Sequence, residues 1–480
     1  MDARSPKLAA PSAETIDRLV AVVGEKYALR DAQEMESYVT EWRDRWPGRA
    51  SLVLRPGSTQ EVSEILKIAN ETQTGVVPQS GNTGAVGGQV PSPSGDEIVV
   101  SLERLNKILR IDALDNTIAV EAGCILQSVQ EAAEEVDRLF PLRIGSQGSC
   151  QIGGNLGTNA GGIATLAYGN ARDLALGLEV VMADGRIWNG MNRLRKNNTG
   201  YDLRDIFIGS EGTLGIITGA VLKLYPKPRD RAVALVGLSA PEPALELLAL
   251  AQGKTGNGVV GFEIFPHFGM EIVERHTELR NPLGSYFPWY VIVEIAGGAA
   301  PGDLTPVLTS ILEEAFEADL ISDAALASSE AQYQMFWSMR ERMSEVQKFE
   351  GGSIKLDTSV PVSQVPELIA RGLEALKEAV PDARPLPYGH IGDGNIHFNI
   401  SQPEGADTDA FMARWDELTG IINSIAIDMS GSISAEHGIG QSKTYMMPKV
   451  KSPLEMELLV GLKHMFDPNG ILNPGKVLPS

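Results

Sequence analysis

The chain has 480 residues, of which 43% are hydrophobic and 21% charged, with a formal net charge of −21. That length allows two or three domains with real cores. The acidic balance weighs against nucleic acid or an anionic membrane as a partner. Two cysteines, Cys124 and Cys150, are too few for a disulfide framework or a thiolate zinc site, and both read as buried small thiols. No apolar run approaches the roughly 18 residues that span a bilayer, and the opening MDARSPKLAAPSAET is not a secretory signal. The expected location is the cytoplasm.

In chain order, residues 1–47 are predicted to be mainly helical, with Ser12 capping ETIDRLVAVVG and a second helix over DAQEMESYV. SLVLRP (51–56) reads as a strand. The next helix has Ser58 and Glu61 spaced as a capping box and Val62, Ile65, Leu66 and Ala69 on one face. Strands are predicted at 97–102 and 116–123, flanking a short helix near Leu105, and a helix at 126–135. Between Pro141 and Pro228 the chain is rich in glycine, with strands over 176–182 and 215–226 and a hairpin turn at Asp184-Gly185. PKPRDR (226–231) marks a boundary.

Beyond it, strands over 290–295 and 353–362 alternate with helices near 303–318, 328–348, 365–380 and 408–427. One mostly antiparallel sheet with helices on one side accommodates that pattern. The tail is an amphipathic helix ending near Asp467-Pro468, then an extended segment. AQGKTG (251–256) resembles the end of a P-loop, but Leu248 stands where glycine is required, so it is rejected.

Two stretches carry chemistry. The first is a pair of glycine-rich loops, PQSGNTG (78–84) and GSQGSCQIGGNLGTNAGG (145–162), joined by IGSEGTLGIIT (208–218). Glycine lets backbone N–H groups approach an anion, and Asn82, Thr83, Ser149 and Asn159 could add side-chain donors. Neither loop has the G-x-G-x-x-G spacing. The second is PYGHIGDGNIHFNI (387–400), with His390 and His397 seven residues apart. An unbroken strand would send them to opposite faces. They converge only if IGDGN turns and HFNI leaves as a strand, with His397 and Asn399 on one face. Glu436 in SAEHGIG completes a set of two imidazoles and a carboxylate, the donor set of a catalytic metal with open positions.

This succession of motifs resembles the FAD-binding domain of the vanillyl-alcohol-oxidase, or PCMH-type, flavoproteins. PYGHIGDGNIHFNI, SAEHGIG and ILNPGK are similar to its D-2-hydroxy-acid dehydrogenase branch, nearest the D-2-hydroxyglutarate dehydrogenases. The resemblance covers about 48–480. It implies an α+β fold: an N-terminal helical segment (1–47), a two-subdomain FAD-binding domain (48–228), an α/β substrate domain with a mostly antiparallel sheet (229–430) and a C-terminal segment (431–480) that completes the active site.

The resemblance further implies that FAD is held by Pro78, Gly81, Asn82, Thr83 and Gly84, by Gly148, Ser149, Gly153, Gly154, Asn159 and Gly162, and by Glu211, Gly215 and Ile217. Asn82 stands where some members carry a flavin-linking histidine, so non-covalent FAD is expected. His390, His397 and Glu436 would hold a divalent metal, zinc by the resemblance, with manganese and cobalt left open by ligand type. His437 would take the hydroxyl proton as hydride passes to flavin N5, and Asn399 would orient the substrate.

Arg340 and Ser344, four apart on the predicted 328–348 helix, share a face, and Lys355 follows. An arginine and a lysine together suit a second carboxylate. That favours D-2-hydroxyglutarate over D-lactate or another D-2-hydroxy acid; serine at 344, where threonine is usual in that group, is a departure. A separate electron acceptor, such as electron-transfer flavoprotein or a quinone, and a homodimer are further implications. A metal-dependent hydrolase and a non-catalytic nucleotide-binding subunit remain as alternatives from other classes.

Overall fold

The computed structural model describes residues 8–298 and 300–479. Two compact units are present. One comprises the chain up to Ala160, Asn170–Pro226 and Glu436 onward; the other comprises Gly161–Gly169 and Lys227–Ala435.

The first unit contains a four-stranded sheet in the spatial order Ala28–Leu29, Leu52–Leu54, Glu97–Ser101, Gly75–Gln79, the last three mutually parallel. The helix Thr59–Thr72 crosses between parallel strands and buries Val62, Ile65, Leu66 and Ala69, the predicted face. Its cap is Ser58, whose Oγ accepts from Glu61 N, while Glu61 accepts from Gly57 N rather than from the cap residue. A five-stranded antiparallel sheet follows, in the order Ile108–Asp112, Thr117–Glu121, Ile216–Lys223, Ala175–Val181, Ile187–Gly190. No helix forms near Leu105. Glu103 and Arg104 make a turn there, and the chain enters an edge strand whose Ile108 and Leu109 face solvent. This absence of burial is why apolar alternation did not reveal that strand.

The tail returns to the first sheet. Val76 N donates to Ile471 O at 2.8 Å, and Asn473 N donates back to Val76 O at 2.8 Å. The preceding helix, Pro453–Phe466, ends at Asp467, a buried carboxylate that accepts from Lys463 Nζ (2.6 Å), Ile471 N (3.0 Å) and Leu472 N (2.8 Å). The ILNPGK segment is thus a strand-like clasp with Ile471 and Leu472 in the core.

The second unit is built on one antiparallel sheet in the order Asp323–Leu326, Asp230–Leu238, Trp289–Gly297, Val259–Pro266, Arg384–His390, Asn395–Ser401, Ser353–Ile354. Helices cover both faces, not one. On one side Val291, Val293, Phe262, Ile264 and Phe398 pack under the helices Pro243–Thr255, Leu304–Glu317, Val365–Ala379 and Trp415–Asp428. On the other, Val233, Leu235, Phe265, Tyr290 and Ile292 meet the helices His267–His276 and Glu330–Glu341. YVIVEI has no polar alternation because both of its faces are buried. AQGKT lies inside the helix Pro243–Thr255, consistent with rejecting a phosphate loop there.

Cys124 and Cys150 are both buried and unpaired with each other, and burial pushes the Cys124 thiol up to about 11 and raises that of Cys150. Neither should react with an aromatic disulfide reagent at pH 8 in the native protein, and both should react in denaturant; a native thiol titrating fast would contradict their packing. Leu472→Ala removes a fully buried side chain and should cost about 2–5 kcal/mol, read as a lower urea midpoint of unfolding.

Candidate active site

The hairpin formed by Arg384–His390 and Asn395–Ser401 brings the two histidines together. Its register pairs His390 with Asn395 and Tyr388 with His397. Four intervening residues, 391–394, make the turn, so His390 and His397 become diagonal neighbours on one face. Their ring centroids are 5.7 Å apart, with planes at 77°. Gly394 permits the turn: its φ is +86°, and a Cβ there would collide with the Val360 carbonyl oxygen. The opposite face of the same strand carries Ile396, Phe398 and Ile400 into the core.

Glu436, the next residue after the second unit ends, contributes a carboxylate oxygen; one ligand atom from each of His390, His397 and Glu436 lies within 4.8 Å of the others. His437 follows on a half-buried bend. The chemistry of the donor set fits a divalent metal. His390 gives Nδ1 to Glu263 Oε1, so Nε2 is the nitrogen left for an ion.

Glu263 was not singled out from the sequence. It lies on the central strand Val259–Pro266 with no exposed surface, and its other oxygen, Oε2, accepts from Arg340 Nε at 2.7 Å. Burial alone would raise this carboxyl, but His390 and then Arg340 outweigh it and hold the group below the ordinary carboxylate range. The signal available was one acidic residue inside an otherwise apolar run, VVGFEIFP. The guanidinium of Arg340 also lies over the Tyr388 ring, 4.4 Å from its centroid. Burial likewise pushes Asp393, in the hairpin turn, up to about 6, with His390 opposing the rise.

The predicted 328–348 helix is broken. It runs Glu330–Glu341, is followed by a short turn of helix at Met343–Val346, and then tightens to 3-10 geometry over Gln347–Glu350. Lys355 Nζ donates to the Ser344 carbonyl oxygen (2.9 Å) and to Ser344 Oγ (3.0 Å). The helical ladder is already interrupted at Arg342, and the contact occupies the Ser344 carbonyl just ahead of the change to 3-10 geometry. The predicted 353–362 strand is interrupted as well: only Ser353–Ile354 and Thr358–Ser359 pair, and Lys355 lies in the gap. Arg340 is therefore joined to Glu263, and Ser344 to Lys355, instead of forming a single helical stripe. Asn399 is buried, and its Nδ2 donates to Gln347 Oε1 at 2.9 Å.

In the first unit the glycine loops pack on each other. A Cβ on Gly81 would strike the Ser149 carbonyl oxygen and come within 2.9 Å of Cys150 Cα; one on Gly153 would lie 2.9 Å from Ala122 Cβ, and one on Gly154 3.1 Å from Ser80 Cβ. Gly84 and Gly148 approach Gln89 and Gln127 in the same way. Asn82 adopts a left-handed backbone with φ +51°, and its Nδ2 donates to the Ser37 and Thr40 carbonyls. Asn159 is left-handed too, and its Oδ1 accepts from Arg172 N. These two amides thus engage the protein itself. Ser149 Oγ donates to Ser146 O, and Thr83 is half-buried. Gly162 belongs to the second unit, where its N–H meets Thr165 Oγ1.

Glu211 has φ +51°, and its carboxylate accepts from Ile439 N (2.7 Å) and Gly440 N (2.8 Å). It clamps the GIG turn. Burial pushes its carboxyl up against those two bonds. Pro78 lies under Gly212, whose Cβ would overlap its ring; Gly215 lies against Val180; Ile217 is buried in the strand Ile216–Lys223. The side-chain oxygens this unit buries without partners include Asn82 Oδ1 and Gln151 Oε1, both in or beside the glycine loops. Acceptors of that kind suit a ligand rich in N–H and hydroxyl donors, and FAD is one.

Comparison with known proteins bears on both units. A family model described as FAD linked oxidases, C-terminal domain, matches residues 227–477, and one described as FAD binding domain matches 50–190. The mitochondrial D-2-hydroxyglutarate dehydrogenase of Danio rerio is 38% identical over 454 residues, covering 94% of this chain and 83% of that protein. The D-2-hydroxyglutarate dehydrogenase of Xanthomonas citri pv. viticola is 37% identical over 444 residues, 92% of each chain. Among solved structures, p-cresol methylhydroxylase with substrate bound superposes with a TM-score of 0.77 over 96% of each chain at 17% identity, a likeness of fold alone.

Gly81→Ala should overpack the contact between the glycine loops and destabilise the protein by about 1–3 kcal/mol. Flavin content after purification should fall with it; unchanged stability on this substitution would mean the loops can separate at no cost.

Proposed function

The chain belongs to the FAD-linked oxidases, as an FAD-dependent hydroxy-acid dehydrogenase, and from that membership we propose that it oxidises D-2-hydroxyglutarate to 2-oxoglutarate with the help of a divalent metal. One observation carries the choice of substrate. A buried arginine, Arg340, is tied through a single carboxylate to His390, a metal ligand in this reading. A monocarboxylic substrate, with its single carboxylate near the ion, has no use for a second cation there. A dicarboxylic one does.

When bound, FAD supplies the two-electron acceptor and the metal supplies Lewis acidity toward the substrate hydroxyl. His390, His397 and Glu436 would hold the ion. His437, an imidazole next to Glu436 in the chain, takes the hydroxyl proton. Arg340 binds the distal carboxylate, with Lys355 adding a second positive charge from its position on Ser344. Asn399, its amide fixed by Gln347, orients the substrate. A separate electron acceptor completes the cycle, and the relatives' names support the substrate class.

The test is anaerobic reduction of the purified yellow protein by D-2-hydroxyglutarate and by D-lactate, with metal analysis of the same sample. D-2-hydroxyglutarate should bleach the flavin faster; faster bleaching by D-lactate sinks the dicarboxylate assignment, and a colourless metal-containing protein sinks the flavin chemistry itself. Lys355→Met should lower kcat/KM for D-2-hydroxyglutarate about 30-fold, or about 2 kcal/mol, and leave D-lactate nearly unchanged.

A further inference from the structure

We propose that Glu263 is a positioning residue that couples metal binding at His390 to carboxylate recognition at Arg340; this rests on the reading of those two side chains given above. A carboxylate with no exposed surface on a central strand is costly to bury unless both its oxygens are engaged. Both are, and each by a different functional group: Oε1 by His390 Nδ1 and Oε2 by Arg340 Nε.

The choice of atoms is informative. Taking Nδ1–H of His390 fixes the imidazole in the tautomer whose Nε2 lone pair can bind a cation. Taking Nε of Arg340 engages one edge of the guanidinium and leaves the Nη1/Nη2 edge as the fork for a planar carboxylate. One buried group thus selects the working edge of two side chains. Tyr388, under the guanidinium at 4.4 Å and two residues before His390 on the same strand face, narrows the freedom of both. Because the two partners share one anion, a shift of either moves the other. Metal occupancy and affinity for a dicarboxylate should therefore be linked, each raising the other by the same factor.

The experiment uses the full FAD-loaded chain, stripped with a chelator and titrated with Zn²⁺ alone by calorimetry. Glu263→Gln keeps the shape but can accept from only one partner, and should weaken Zn²⁺ binding about 10–100-fold. Its KM for D-2-hydroxyglutarate should rise more than its KM for D-lactate. Glu263→Asp keeps the charge but is one methylene short of reaching both partners, and should also lose Zn²⁺ affinity. Zn²⁺ binding by Glu263→Gln within about threefold of the parent overturns the proposal and leaves the metal site standing. Parent-like binding by Glu263→Asp reduces the residue to a source of charge and overturns the positioning role. Failure of the parent protein to bind Zn²⁺ overturns the metal reading and this proposal together. Near-ultraviolet circular dichroism of the metal-free forms separates these outcomes from a variant that does not fold.

Discussion

The register of one β-hairpin governs the face that carries His390 and His397. Pairing Arg384–His390 with Asn395–Ser401 across a four-residue turn sets His390 opposite Asn395 and leaves His397 two residues further along the same side. Side chains alternate strictly in a strand, so a slip of one residue would turn His397 and Asn399 into the apolar core and bring Phe398 out. The core holds the register from behind, since Ile396, Phe398 and Ile400 are all fully buried. Gly394 holds it from the turn, because any side chain there would meet the Val360 carbonyl. The polar face is thus specified mainly by what the apolar face cannot tolerate.

The first unit uses its glycines differently. Gly81, Gly153 and Gly154 allow backbone segments to approach one another more closely than a Cβ would permit, which brings the two glycine loops into direct contact. Asn82, Asn159 and Glu211 take the left-handed positions glycine would usually fill, and each then spends its side chain on neighbouring backbone. A polar side chain in such a loop can therefore serve to shape the loop, while the peptide groups and unpartnered acceptors face a ligand. Counting donors along a glycine-rich sequence does not separate these roles.

Much of this arrangement is legible in the sequence. The hairpin follows from two glycines between histidines seven apart: the glycines argue against a helix, and an unbroken strand would send the two rings to opposite faces. The helix Thr59–Thr72 follows from its cap and its apolar stripe. What escapes such reading depends on contacts distant in sequence. Lys355, in the gap of a broken strand, bonds to Ser344, 11 residues away, just past the break in a helix, and no propensity records that contact. Helices on both faces of the large sheet are implied by the unalternating YVIVEI, yet a single covered face was expected. Glu263 lies 127 residues from His390, and only the sheet order makes them neighbours.

The helix Glu330–Glu341 shows why a polar contact matters in a face otherwise held by apolar packing. Phe336, Trp337 and Met339 bury it against the sheet, and side-chain hydrogen bonds on the same face fix its rotation further. Tyr333 Oη donates to Glu294 (3.0 and 3.1 Å) and, two turns later on the same side, Arg340 Nε donates to Glu263. Both acceptors stand on neighbouring strands of one face, Trp289–Gly297 and Val259–Pro266. Advancing the helix by one residue would rotate both donors away, breaking the buried Arg340–Glu263 pair at a cost of about 3–5 kcal/mol and a tyrosine hydrogen bond to a carboxylate worth about 1.5–3 kcal/mol. Apolar burial brings the helix to the sheet, and the two carboxylates decide which residue faces His390. The presence of Arg340 beside His390 is on this account a consequence of helix phase, set by Glu294 and Tyr333 as much as by the arginine's own bond.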